Sequence, residues 1–196
     1  MTVQIQDEMT YKNKKFTIVA TSNSLQFNPE KYGVKPLFRS TSCWRGFWCH
    51  YKIVNYELQL KDLFINTFKN YPQIEGVNAK ESLKERGYHV YENLHLKMLY
   101  TGKLLLGSEI LDEYRLFKGL EGYPYIFKVL LECNIVDGKV IEITDCSQIG
   151  AEFKNRIEKT LDAIPNRIED ELGIIKDSLL PDYSEKIWWF SNKEIL

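Results

Sequence analysis

The sequence predicts an α+β fold, a mainly antiparallel sheet built from hairpins with C-terminal helices packed on it. Three observations carry that expectation. Apolar, β-branched runs with period-two alternation fill the first three quarters of the chain. Two of these runs are joined by short turn signals, "IVNYEL" and "IVDGKV". The tail then changes to a four-residue apolar period. Strands followed by helices place the helices on one face of one sheet. At 196 residues the chain has the length of a single domain, 1–196, β-rich over 14–146 and helical over 147–196.

The first expected strand is "KKFTIVATS" (Lys14–Ser22), an apolar run behind the charged lead-in "YKNKK". Loop punctuation follows at Asn28–Pro36. The stretch "SCWRGFWCHYKIVNYELQLKDLF" (Ser42–Phe64) then reads as a hairpin. A two-residue turn at Asn55-Tyr56 pairs Ile53 with Leu58, Tyr51 with Leu60 and Phe47 with Phe64. One face then holds Phe47, Cys49, Tyr51, Ile53, Leu58, Leu60 and Phe64, and the other Glu57, Gln59, Lys61, Lys52 and His50.

Tyr71–Gly87 reads as a loop with a short helix over Asn78–Arg86, and His89–Leu111 as one or two strands around Thr101-Gly102. In the second hairpin, Phe127–Cys146, a three-residue loop with a left-handed Gly138 and a bulge groups Val129, Leu131, Cys133, Ile135, Ile141 and Ile143. The helical part starts behind Ser147 as N-cap, with Ile149, Phe153, Ile157 and Leu161 on one stripe. The stripe resumes after Pro165 with Ile168, Leu172, Ile175 and Leu179, giving two helices or one kinked helix. The closing "EKIWWFSNKEIL" is apolar enough to dock on the body.

Composition narrows the function classes. With 26 Lys and Arg against 27 Asp and Glu, the net charge of −1 gives no drive toward nucleic acid or an anionic membrane. No window approaches the about 18 apolar residues of a membrane span, and the N-terminus lacks a secretory signal. Four cysteines without a framework spacing suit a reducing compartment, so the cytoplasm is the expected location.

Chemistry-bearing residues do not assemble in the linear pattern. Adjacent Cys49 and His50 point to opposite faces of a strand. No C-x-x-C or H-x-H spacing supports zinc, and no cofactor is expected. "TGKLLLG" (Thr101–Gly107) fails as a phosphate loop, because Leu104 follows Lys103 and Lys97 stands where Gly is needed. Arg45, on the apolar face, should meet a carboxylate or carbonyl cluster in a structural ion pair.

The expected binding surface is the strand face shared by Trp44, Gly46, Trp48, His50 and Lys52. An indole on an otherwise polar face is either covered, here by the C-terminal helices or "IWWF", or offered to a partner. Trp44, Trp48, His50 and Lys52 are therefore the candidate contact residues. The acidic helix face of Glu169, Asp170 and Glu171 comes second, and its bland reading is a solvated helix face.

The run "STSCWRGFWCHYKIVNYELQL" resembles a group of uncharacterised bacterial proteins that carry Ser-Thr-x-x-Trp-Arg-Gly-aromatic, a strand, a tight turn and a second strand. Ser40, Thr41, Trp44, Arg45 and Gly46 fill that motif, and "YTGKLLLG" and "IVDGKVIEI" look like the group's later segments, over Val19–Cys146. The resemblance implies a bacterial fold family and supplies no catalytic residue. Its members, as standalone small chains, suit an accessory or neutralising role.

The leading expectation is a non-enzymatic bacterial protein that binds another protein, in its specific form an immunity protein neutralising a toxin. The alternative is a small-molecule binding domain whose pocket is lined by Trp44, Trp48, Tyr51 and Tyr100. The third is a hydrolase with a dyad assembled across the fold, invisible to spacing.

Overall fold

The computed structural model describes residues 4–162 apart from 26, 69–70, 84, 86 and 116–122. Ten strands form one sheet: β1 (Glu8–Tyr11), β2 (Lys14–Thr21), β3 (Phe47–Val54), β4 (Glu57–Ile65), β5 (Lys80–Glu81), β6 (His89–Tyr91), β7 (Leu96–Lys97), β8 (Gly102–Ile110), β9 (Phe127–Val136) and β10 (Lys139–Asp145). One helix, α1 (Ser147–Asp162), follows. The strand order β10-β9-β8-β2-β1-β3-β4 returns on itself through a β10–β4 pairing, so seven strands close a barrel. Strands β5, β6 and β7 extend the sheet beyond β4. All pairings are antiparallel except β1–β3.

The expected antiparallel sheet built from hairpins is present in part: it closes into a barrel, and among the described residues one α-helix packs on it. The interior is filled by Met9, Phe16, Ile18, Phe47, Cys49, Tyr51, Ile53, Leu58, Leu60, Leu63, Ile65, Leu104, Leu106, Cys133 and Ile135, all in one buried cluster. These are the inward members of each alternating strand. Outside the barrel, α1 covers β9: Phe153 and Ile149 join Val19, Leu105, Leu130 and Tyr125 in a second cluster. Ser147, expected as an N-cap, is instead the first helical residue. Its Oγ accepts the Leu130 N–H and donates to Asp145, whose carboxylate also takes the Ser147 N–H. The continuation after Pro165 and the "IWWF" segment lie outside the described residues. Among the described residues no helix is long and apolar enough to cross a membrane.

Both expected hairpins form, with altered registers. In the first, the Asn55-Tyr56 turn pairs Ile53 with Leu58 and Tyr51 with Leu60 as read. A bulge at Lys61 then shifts the ladder by one, so Phe47 meets Ile65 and not Phe64. Phe64 moves to the outer face beside Trp48, and Leu63 takes its place inside. In the second, the loop is two residues, Asp137-Gly138, with φ values of 48° and 76°. The bulge sits later, between Val140 and Glu142, which leaves Ile141 62% exposed instead of in the core group. The helix expected over Asn78–Arg86 is replaced by the two-residue β5 among the described positions.

Strand β1 was not expected either. In β1, only Met9 is fully buried, so the run carries little alternation to detect. Its order comes from pairing with β2 through a Lys12-Asn13 turn and with β3, far along the chain.

Candidate functional site

Three constellations lie along one side of the barrel, where β1, β3 and the loop before β3 meet. The first is structural, with Asp7 half-buried and Arg45 exposed. Asp7 accepts hydrogen bonds from the Arg45 guanidinium and, at 2.7 Å, from the Cys49 N–H. The Arg45 Nε–H also donates to the Phe47 carbonyl at 2.7 Å, and its guanidinium lies over the Phe47 ring. Arg45 has the expected ion pair, with Asp7 as the acid, but it precedes β3 and is exposed and does not lie on the strand's apolar face. Burial pushes the Asp7 carboxyl up, against the opposing pull of Arg45.

The second constellation is exposed. Trp44 lies in the turn before β3, 68% exposed, and Phe38 beside it is 59% exposed. Their rings meet edge to face at 6.2 Å. The indole is held in place although it faces outward: Nε1–H donates to the Thr41 carbonyl at 2.7 Å, and the backbone N–H donates to Gln4 Oε1 at 2.9 Å. Gln4 Nε2 bonds the same Thr41 carbonyl at 2.8 Å, which closes the frame. Gly46 ends this turn with φ of 74°, and a side chain there would strike the Leu37 backbone. Only glycine fits at this close approach of the loop that displays Phe38 to the turn that displays Trp44. Arg39 stands between them in sequence, exposed, its guanidinium over the Tyr88 ring.

The third constellation sits on the outer face of β1, β3 and β4. His50 Nδ1 lies 3.0 Å from Asp62 Oδ2, and His50 Nε2 lies 2.7 Å from Thr10 Oγ1. Asp62 also accepts from Lys61 Nζ at 2.9 Å and from the Asn93 N–H at 3.0 Å. Burial opposes ionisation of Asp62, but these three donors outweigh it and hold the carboxyl well below the usual range. The ionised carboxylate has no proton to give, so His50 Nδ1 carries the hydrogen and donates it. In the neutral ring this leaves the Nε2 lone pair to accept the Thr10 hydroxyl.

The residues expected to share one binding face are separated by the structure. Trp44 precedes the strand, because β3 starts at Phe47. Trp48 is only 6% exposed, stacked on Phe64 at 4.9 Å and edge-on to Tyr88 at 4.8 Å. His50 is 7% exposed within its hydrogen bonds, and Lys52 is half-buried on the same outer face. Trp48 and His50 are thus corrected from surface contacts to interior residues, since β6 and the loops around Cys43 and Asn93 cover them. Glu169, Asp170 and Glu171 lie outside the described residues. The four aromatics expected around one pocket also part: Tyr51 and Tyr100 belong to the barrel core, Trp48 to the outer cluster and Trp44 to the surface.

Phe38, Asp62 and Thr10 were missed. Two consecutive polar residues, Lys61-Asp62, inside an alternating strand are the signal of a bulge that would have found Asp62 opposite His50. Phe38 stands in the loop run "KPLFR", where an aromatic has no strand partner to explain it. Among the described residues no group of three His, Cys, Asp or Glu side chains could hold a metal ion. Comparisons with protein-family models, with curated proteins and with solved structures found nothing that this chain matches.

Proposed function

We propose that this chain works in the bacterial cytoplasm by binding another protein, with Trp44 and Phe38 as the anchor. The observation that supports it is the pairing of high exposure with fixed geometry at Trp44. An exposed indole that is already immobilised loses little conformational entropy on binding, which is what a contact anchor requires. Arg39 adds a charged rim beside the two rings. The specific form is an immunity protein that neutralises a toxin partner, a reading that rests on the compact, charge-balanced chain and the resemblance carried by Ser40, Thr41, Trp44, Arg45 and Gly46.

The test replaces Trp44 and Phe38 together by Ala and compares capture of partners from host lysate with that by the unaltered chain. Both rings are surface-exposed, so the variant keeps its fold, which circular dichroism checks. The expected result is a stoichiometric partner whose affinity, measured with the purified pair, falls at least about 30-fold, corresponding to about 2 kcal/mol for a hot spot. For the toxin form, an equimolar amount of this chain abolishes the partner's toxicity. Equal affinity for the folded variant overturns the assignment of the anchor.

A further inference from the structure

We propose that Thr10, His50 and Asp62 form a hydrolytic centre for esters, with Thr10 Oγ1 as nucleophile, His50 Nε2 as general base and Asp62 as the positioning residue. The three stand in the order that acyl transfer needs: hydroxyl to imidazole at 2.7 Å, imidazole to carboxylate at 3.0 Å. Their burial is graded the same way. His50 and Asp62 are 7% and 6% exposed, while Thr10 is half-buried and stands at the surface end. A histidine serving only to fill the interior needs partners for its two nitrogens. Here the carboxylate side is built up further, by Lys61 and by the Asn93 N–H, which fixes the orientation of the ring.

The sheet also defines the charge around the hydroxyl. Directly paired residues share a face, and Thr10 is paired with Lys15 on β2 and with Lys52 on β3. Two lysine side chains therefore start on the same face as Thr10, one on each side of it. Lys15 bonds Glu8 at 3.3 Å, and Lys52 has no ion pair among the described residues. Glu8 is the neighbour of His50 in the next row. The substrate class this favours is an ester whose acyl part carries a carboxylate, with Lys52 taking the charge. The Lys52 charge also stabilises the negative charge that grows on the carbonyl oxygen during attack.

The step balances within these groups. Thr10 Oγ1 bonds to the ester carbonyl carbon as its proton passes to His50 Nε2. The tetrahedral adduct collapses, the bond to the alcohol oxygen breaks, and the imidazolium returns the proton to that oxygen. Water then repeats the attack on the acyl-threonine, giving up one proton to Nε2. The proton returns to Thr10 as the carboxylic acid leaves.

The experiment treats the full chain with a fluorophosphonate, which phosphonylates an activated hydroxyl with loss of fluoride, and maps the adduct by peptide mass spectrometry. Turnover is measured in parallel with the p-nitrophenyl monoester of succinate and with p-nitrophenyl acetate. The expected adduct is on Thr10 and persists in Thr10→Ser. Thr10→Val, which keeps the shape of the side chain, loses the adduct and about 100-fold or more of turnover. Lys52→Ala lowers the rate on the succinate ester more than the rate on the acetate ester, so the preference between them falls. An unmodified Thr10, or equal turnover by folded Thr10→Val and unaltered chain, overturns the proposal. Equal rates on the two esters overturn the substrate class.

Discussion

The two long hairpins, β3–β4 and β9–β10, solve the same problem with different residues. Both turn in two residues at positive φ: Asn55 and Tyr56 at 50° and 61°, Asp137 and Gly138 at 48° and 76°. Both carry a bulge, at Lys61 in the first and at Ile141 in the second. In the first hairpin the bulge brings two polar residues to one side and so creates the Asp62–His50 pair. In the second it turns an apolar residue outward. The same irregularity thus yields a buried polar network in one place and a solvent-facing isoleucine in the other. What decides is the neighbourhood: the Asn93 loop covers the first bulge, whereas Ile141 stays exposed.

The comparison breaks hardest at the turns. Gly138 cannot be exchanged, because an added Cβ would strike the Met98 carbonyl as well as occupy the left-handed region. Gly138→Ala is expected to cost about 3 kcal/mol, the sum of a left-handed penalty and a forced backbone shift. Urea titration measures it, and a loss under 1 kcal/mol, a threshold taken from that left-handed penalty alone, would show that the two turns are equivalent.

At the first bulge, Asp62→Asn removes the charge that His50, Lys61 and the Asn93 N–H satisfy together. The expected loss is about 2 kcal/mol at neutral pH. Because the folded-state carboxyl titrates below its unfolded value of about 3.9, its stabilisation is complete above that pH and is lost as pH falls below it. The two proteins should therefore differ by a constant amount from about pH 5 upward and converge in stronger acid. A difference that instead persists unchanged in strong acid would show that the carboxylate charge is not its source.

The mildest change sharpens the same contrast. Tyr56 is an exposed tyrosine held at a φ that favours glycine. Tyr56→Gly should raise stability by up to about 1 kcal/mol, making the first turn resemble the second. Thermal unfolding reads this as a rise of a few degrees, and a fall would show that the Tyr56 ring contributes more by contact than its backbone costs.

Much of this hairpin architecture was legible in the chain. The alternation of Phe47, Cys49, Tyr51 and Ile53 gave the inward face, and Asn55-Tyr56 gave the turn. The bulges were not legible at their true positions, because one extra residue reverses the alternation and several placements then sort a short strand equally well. In the second hairpin that ambiguity moved the bulge into the loop and buried Ile141 on paper. The barrel and β1 were hidden for another reason. Both depend on pairings between distant segments, Glu8 with His50 and Glu57 with Lys139, which leave no local periodicity. The candidate sites inherit this. Trp44 was found by placing it with Trp48 on one strand face, although it stands before β3, but Thr10 and Asp62 matter only through a neighbour supplied by another strand.

The seam between β10 and β4 has a further consequence, for the order of assembly. It consists of one register pair, Lys139 with Glu57, fastened where the two turns meet: the Leu58 N–H to the Gly138 carbonyl at 2.8 Å and the Val140 N–H to the Tyr56 carbonyl at 2.7 Å. Each hairpin can zip from its own turn at little entropic cost, but the seam must join segments far apart in the chain through a single register pair. Closure of the ring is therefore the late event in folding and the first to reverse. Its amides should exchange with solvent through an opening that leaves both hairpins intact, so the barrel behaves as a hoop with a single clasp.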